Sequence, residues 1–183
     1  MLILKVMVAG DGGVGKTTLV RKFVSGSFNE ATAMTIGVQF HVKDMIFEDK
    51  PVSLQLWDLG GQDHFRFMLS SYTFGARGAI LLYDTTREST LDALEEWVKI
   101  CRSHKADIPI LLCGTKTDLV MQRCISEARA RSLLESLNLF DHIEVSAKTG
   151  SNVERAFEMI VGKIIHPNRP FSSQRTPLLK KIN

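Results

Sequence analysis

The chain has 183 residues, 44% hydrophobic and 23% charged, the proportions of one globular domain rather than of a disordered, collagen-like or disulfide-stapled chain. The formal charge of +3 sits at the end of the chain: residues 167–183 hold Arg169, Arg175, Lys180 and Lys181 with no acid, which leaves the preceding body one charge negative. That excludes the electrostatic footprint of a nucleic-acid binder. No apolar run approaches the roughly 18 residues of a membrane-spanning helix. The opening Met1-Leu2-Ile3-Leu4-Lys5 lacks a basic n-region and cleavage site, so no signal peptide is expected, and Leu2 excludes myristoylation at that position. Cys101, Cys113 and Cys124 are odd in number and form no C-x-x-C, which predicts reduced thiols in a cytoplasmic protein.

In chain order, residues 2–9 predict a strand, and the pattern Leu19, Val20, Phe23, Val24 predicts a helix from Lys16. Residues 26–37 are aperiodic and predict a loop. Val38–Val42 and Val52–Trp57 alternate around a Glu48–Pro51 turn, predicting an antiparallel hairpin. A Phe-rich stretch follows to about residue 77. Strands at 78–84, 109–113 and 142–146 then alternate with amphipathic helices near 89–103, 126–137 and 152–165. The alternation predicts an α/β fold with a parallel sheet covered on both faces and its ligand at the carboxyl ends of the strands. The tail from Pro167 is expected to be a loosely held extension.

Gly10-Asp-Gly-Gly-Val-Gly15-Lys16-Thr17 is a complete G-x-x-x-x-G-K-[ST] placed after a strand and opening a helix. Its glycines let backbone N–H groups turn inward on phosphate oxygens. Lys16 then reaches the outer phosphates and Thr17 offers a hydroxyl to Mg²⁺. Thr115-Lys116-Thr117-Asp118 and Ser146-Ala147-Lys148 each follow a strand. A carboxylate at Asp118 accepts from N1–H and the 2-amino group of guanine, donors that adenine lacks on that edge.

With these motifs in place, residues 3 to about 165 resemble the Ras superfamily of small GTPases. The likeness is to the Rab branch in Thr35-Ile-Gly-Val-Gln-Phe40, Leu56-Trp-Asp58, Gly61-Gln62, Phe65-Arg66, Ser70-Ser-Tyr72 and Leu82-Tyr-Asp-Thr85. Two departures stand out. Thr115 replaces the usual Asn: its hydroxyl can still brace the loop, but the Asn contact to the base is lost. Residues 58–63, Asp-Leu-Gly-Gly-Gln-Asp, carry the Arf and Gα wording.

The resemblance implies a P-loop NTPase G domain over residues 1–166, with a mostly parallel six-stranded sheet and one antiparallel edge strand. Residues 167–183 would be a basic tail. It implies GTP/GDP and Mg²⁺ as ligands and slow GTP hydrolysis. Nucleotide contacts fall to Asp11, Gly12, Gly13, Val14, Gly15, Lys16, Thr17, Thr18, Phe28, Thr35, Gly61, Thr115, Lys116, Asp118, Ser146, Ala147 and Lys148. The metal falls to Thr17, Thr35 and Asp58, and catalysis to Gln62, Lys16, Thr35 and Gly61. Switch segments are implied at 27–38 and 60–77. Partners would be an exchange factor, an activating protein and effectors that dock on Phe40, Trp57 and Tyr72. The expected state is a cytoplasmic monomer that binds no nucleic acid. No cysteine follows Cys124, so no lipid anchor and at most weak peripheral membrane contact are expected. The bracketing alternatives are a GTP-binding scaffold that does not hydrolyse and a small-molecule P-loop kinase. Arg66 is not expected to act as an internal arginine finger. His64 and the other four histidines are expected to be solvated or edge residues.

Overall fold

The computed structural model describes residues 1–29, 34–62, 66–168 and 179–181. Seven strands form one sheet: β1 (Leu2–Ala9), β2 (Val38–Phe47), β3 (Lys50–Leu59), β4 (Gly78–Asp84), β5 (Ile110–Thr115), β6 (Asp141–Glu144) and β7 (Leu179–Lys181). Their order is β6-β5-β4-β1-β3-β2-β7. β1 pairs in parallel with both β3 and β4, and the β2–β3 hairpin is antiparallel. The six predicted strands are all present. Part of the tail departs from expectation, because Leu179–Lys181 pairs antiparallel with Met45–Phe47 at the edge of β2.

The chain leaves β1 to one side of the sheet for β3 and β2, then returns to the other side for β4, β5 and β6. The order therefore reverses at β1, where an open α/β sheet forms its ligand crevice. All residues of β4 and β5 are buried, as strands covered on both faces must be. Side-chain alternation divides β1 between two cores. Leu4, Val6 and Val8 pack with α1 (Lys16–Ser25) and α6 (Val153–Ile165), where Phe23 stacks on Phe157. Met7 and Ala9 face the second core, with Leu69 of α2 (Arg66–Leu69), Leu91 of α3 (Ser89–Asp92), Trp97 of α4 (Leu94–Cys101) and Ala130 of α5 (Glu127–Ser136).

The hairpin is longer than its alternating stretches suggested. Glu48 and Asp49 both take positive φ (46° and 62°), the backbone of a two-residue I′ turn, and Pro51 lies inside β3 rather than in the turn. His166 is bonded to Glu48 at 2.7 Å, which ties the end of α6 to that turn. His142, expected to be a solvated or edge residue, stands on the edge strand β6, with its side chain buried against Tyr83 and a 3.0 Å bond to that hydroxyl. His41, expected likewise, has its Nε2 buried. His64 lies outside the described residues. All three cysteines are free, and burial pushes the Cys101 thiol up to about 12.

Candidate nucleotide site

Gly10–Thr17 runs from the end of β1 into α1, the loop-to-helix junction that the motif demands. Three of its glycines hold positive φ: Gly10 at 136°, Gly13 at 72° and Gly15 at 95°. At Gly10 a Cβ would also stand 2.4 Å from the Leu82 carbonyl oxygen, so no side chain fits. Lys16 is buried, and its Nζ donates to the carbonyls of Gly10 (2.6 Å) and Asp11 (2.7 Å). Both acceptors are neutral.

A cavity of about 350 Å³ opens over this loop. Gly12, Gly13, Val14, Gly15, Lys16, Thr17 and Thr18 line it, together with Thr35, Gly61 and Gln62. Phe28, Thr115, Lys116, Asp118, Ala147 and Lys148 complete its lining. The structure thus gathers residues from five segments far apart in sequence. Asp11 and Ser146, expected to contact ligand, stand behind the wall. Asp11 accepts from Trp97 Nε1 at 2.7 Å, and Ser146 Oγ donates to Asp118 at 2.6 Å.

Thr115 both lines the cavity and braces its wall. Its hydroxyl is bonded to the Val14 carbonyl (2.7 Å) and the Tyr83 carbonyl (3.0 Å), so one side chain ties β5 to both the phosphate loop and β4. The hydroxyl can satisfy both carbonyls only by sharing its single proton. Neither this brace nor the Trp97–Asp11 contact has a short-range signal, since the partners lie 101 and 86 residues apart.

Thr17 Oγ1 donates to Asp58 Oδ2 at 2.5 Å and lies 2.7 Å from Thr35 Oγ1. Asp58 is fully buried, and its Oδ1 has no protein partner. An orphaned buried carboxylate oxygen beside two hydroxyls fits a small divalent cation. One carboxylate is enough for Mg²⁺, which keeps phosphate oxygens and waters as its other ligands. Among the described residues no cluster of three or more His, Cys, Asp or Glu forms a metal cage.

Burial pushes the Asp58 carboxyl above its ordinary value of 3.8, against the opposing pull of the Thr17 hydrogen bond and the charges of Lys16, His41 and Arg21. A raised folded-state pKa means that burial penalises the ionised form. The stability this carboxyl permits is complete below pH 3.8 and is lost as pH rises through the folded value. At neutral pH the metal-free protein carries that cost. Asp58→Asn is therefore expected to raise the Tm of nucleotide-free protein in EDTA by about 2–8 °C. A thermal scan showing a lower Tm would contradict the assignment.

The two glycines of Leu59-Gly60-Gly61-Gln62 have a steric reason. The Gly60 N–H donates to the Gly37 carbonyl at 2.7 Å, and a Cβ there would stand 2.8 Å from the carbonyl oxygens of both Gly37 and Thr35. A Cβ on Gly61 would meet Asp11 C and Gly12 N at 2.4 Å. The segment after β3 thus packs backbone to backbone against both the 35–37 segment and the phosphate loop.

On the outer surface, Phe40, Trp57 and Tyr72 form one aromatic row, with ring centroids 5.5 and 6.1 Å apart and the Lys5 ammonium 3.9 Å over the Trp57 ring. Phe40 is 52% exposed and Tyr72 37%. Phe65 and the side chains of Arg66 and Phe67 lie outside the described residues.

A phosphate loop at the sheet's reversal point, a buried lysine and a carboxylate lining the same cavity define a P-loop nucleotide-binding domain. The model of the Ras family matches residues 5–166. The Ras-related protein RABA1i of Arabidopsis thaliana is 40% identical over 163 residues, which is 88% of this chain and 74% of that protein. The GTP-binding protein ypt3 of Schizosaccharomyces pombe is 38% identical over 163 residues, 88% of this chain and 76% of that protein. The Ras-related protein RGP2 of Oryza sativa subsp. japonica is 36% identical, with 88% and 75% covered. The chain belongs to the Ras family and is a Rab-like small GTPase. No helix among the described residues is long and apolar enough to cross a membrane.

Proposed function

We propose that the protein is a guanine-nucleotide switch that binds GTP or GDP with Mg²⁺ in this cavity and hydrolyses GTP slowly. The observation that carries the reading is the cavity itself. It joins a phosphate cradle to a carboxylate that guanine, and not adenine, can satisfy with two donors on one edge. The relative ypt3, a GTP-binding protein, agrees with it.

In this reading Lys16 neutralises phosphate oxygens, and backbone N–H groups of residues 12–17 donate to them. Asp118 accepts from the base, Lys116 and Phe28 cover the base, and the Ala147 N–H meets its carbonyl. Thr17, Thr35 and Asp58 would hold Mg²⁺, which supplies charge neutralisation at the phosphates when bound. Gly61 places its N–H toward the terminal phosphate and Gln62 orients the attacking water. Residues 27–38 and 60–77 are the switch segments. Their junction through Thr35, Gly37 and Gly60 is the contact that loss of the terminal phosphate would release. The Leu59-Gly60 departure, worded as in Arf, keeps that junction free of side chains.

The aromatic row at Phe40, Trp57 and Tyr72 is the effector surface. An exchange factor and an activating protein complete the cycle. Without a partner, turnover is expected in the range of Ras itself, about 10⁻⁴ to 10⁻³ per second.

Timed phosphate release from GTP-loaded protein, compared with Gln62→Leu, tests the reading. The expected result is slow conversion that falls at least tenfold in the variant, since Leu can neither accept from nor donate to the water. No conversion in either protein would leave a GTP-binding scaffold that cycles by exchange alone.

A further inference from the structure

The β4–α3 turn holds an arginine that the sequence reading did not use. Arg87 Nη2 donates to the Gly12 carbonyl at 2.9 Å, across 75 residues, and Nε donates to Asp84 Oδ2 at 3.1 Å. The same guanidinium stands 3.6 Å from the place of a Cβ on Gly13. Its backbone is held as well: the Thr90 hydroxyl donates to the Arg87 carbonyl at 2.7 Å, and the Arg87 N–H donates to the Asp84 carbonyl at 3.0 Å.

A trans peptide points its C=O and its N–H in opposite directions. Drawing the Gly12 carbonyl outward onto Arg87 therefore turns the Gly13 N–H the other way, toward the cavity that Gly12 and Gly13 line. Two consecutive glycines leave that peptide plane free to rotate, so something must hold it. A cation on the carbonyl also polarises the amide and strengthens its N–H as a donor.

Asp84 supplies the second half of the device. It is fully buried, and its Oδ2 also takes the Lys116 ammonium at 2.6 Å. Its Oδ1 takes the Thr86 N–H (3.0 Å) and hydroxyl (2.7 Å). Burial pushes this carboxyl up, but the Lys116 and Thr86 bonds outweigh it and hold the group below the usual range. One carboxylate thus joins the residue that holds the phosphate loop to a lysine on the base side of the cavity.

We infer that Arg87 is a positioning residue for nucleotide retention, fixing the Gly12–Gly13 peptide so that the Gly13 N–H donates to a nucleotide phosphate, with Asp84 coupling this hold to Lys116. The inference rests on the guanine-nucleotide reading of the cavity. Its test leaves Asp84 intact, because removing that carboxylate would strand a buried ion-pair site.

The experiment compares full-length wild type, Arg87→Ala and Arg87→Lys, each loaded with Mg·GDP. It reads the dissociation rate of a fluorescent GDP analogue, the Gly13 amide proton shift by ¹⁵N-resolved NMR, and Tm. Arg87→Ala is expected to release GDP about 3–10-fold faster. Its Gly13 amide proton should move upfield as its phosphate bond weakens, while the Lys16 and Thr17 amides stay in place. Arg87→Lys, which keeps a cationic donor, should recover part of both changes.

An unchanged release rate and Gly13 shift would overturn the inference. So would faster release accompanied by a lowered Tm and shifts spread over the whole domain, the signature of a structural role. Wild-type protein that holds no guanine nucleotide would overturn both the inference and the reading beneath it.

Discussion

Asp118→Ala is expected to lower GDP affinity by about 10²–10⁴, the cost of two hydrogen bonds to a charged acceptor at a site built around them. The structure isolates this effect well. Asp118 lines the cavity from the loop after β5, and the side-chain hydrogen bond it receives comes from Ser146 Oγ. The fold should therefore keep its Tm, because the lost bond is to a hydroxyl that water can replace. ADP affinity should not fall in parallel, since adenine presents no donor pair to this carboxylate. Titration of the variant with GDP and ADP gives the answer. Equal losses for both nucleotides would mean that Asp118 supports the loop rather than selects the base.

Gly61→Ala is expected to slow GTP hydrolysis on the order of 10²-fold while leaving GDP affinity within about threefold. The cause is steric and local. The added Cβ would stand 2.4 Å from Asp11 C and Gly12 N and 2.5 Å from Lys16 Nζ, and the first two are main-chain atoms that cannot step aside. Residue 61 must retreat instead, and it takes Gln62 with it from the cavity they both line. The base end of the cavity, built on β5 and the loop after β6, does not move with them. Single-turnover hydrolysis alongside GDP binding checks this. Hydrolysis at the wild-type rate would show that the close packing of Gly61 on the phosphate loop plays no part in turnover.

The parts of this molecule that could be seen in the sequence are those whose chemistry is local. The phosphate loop needs glycines, a lysine and a hydroxyl within eight residues, and the strand–helix alternation around it is periodic, so both were legible. Phe40, Trp57 and Tyr72 were grouped by resemblance, and they do lie in one row. The illegible parts are contacts between distant segments. Arg87 meets Gly12 across 75 residues and Trp97 meets Asp11 across 86, whereas the brace by the Thr115 hydroxyl is expected and only its partner Val14, 101 residues away, is not. Nothing in the composition of those stretches marks them.

Other misses have backbone causes. The Glu48–Asp49 turn uses two non-glycine residues at positive φ, so the hairpin runs on past where turn residues normally close it. The value of Gly60 lies in the carbonyls of Thr35 and Gly37 that approach it, which a motif comparison presents only as an unusual word. Leu179–Lys181 adds to an exposed sheet edge, and edge pairing depends on which strand is left unpartnered rather than on the sequence of the segment that fills it.

The proposed switch requires this cavity to select guanine nucleotide. The most direct measurement is chromatographic identification of the nucleotide released by denaturing protein purified in the presence of Mg²⁺. GDP or GTP at close to one equivalent is expected. Adenine nucleotide at that stoichiometry, or none at all, would contradict it.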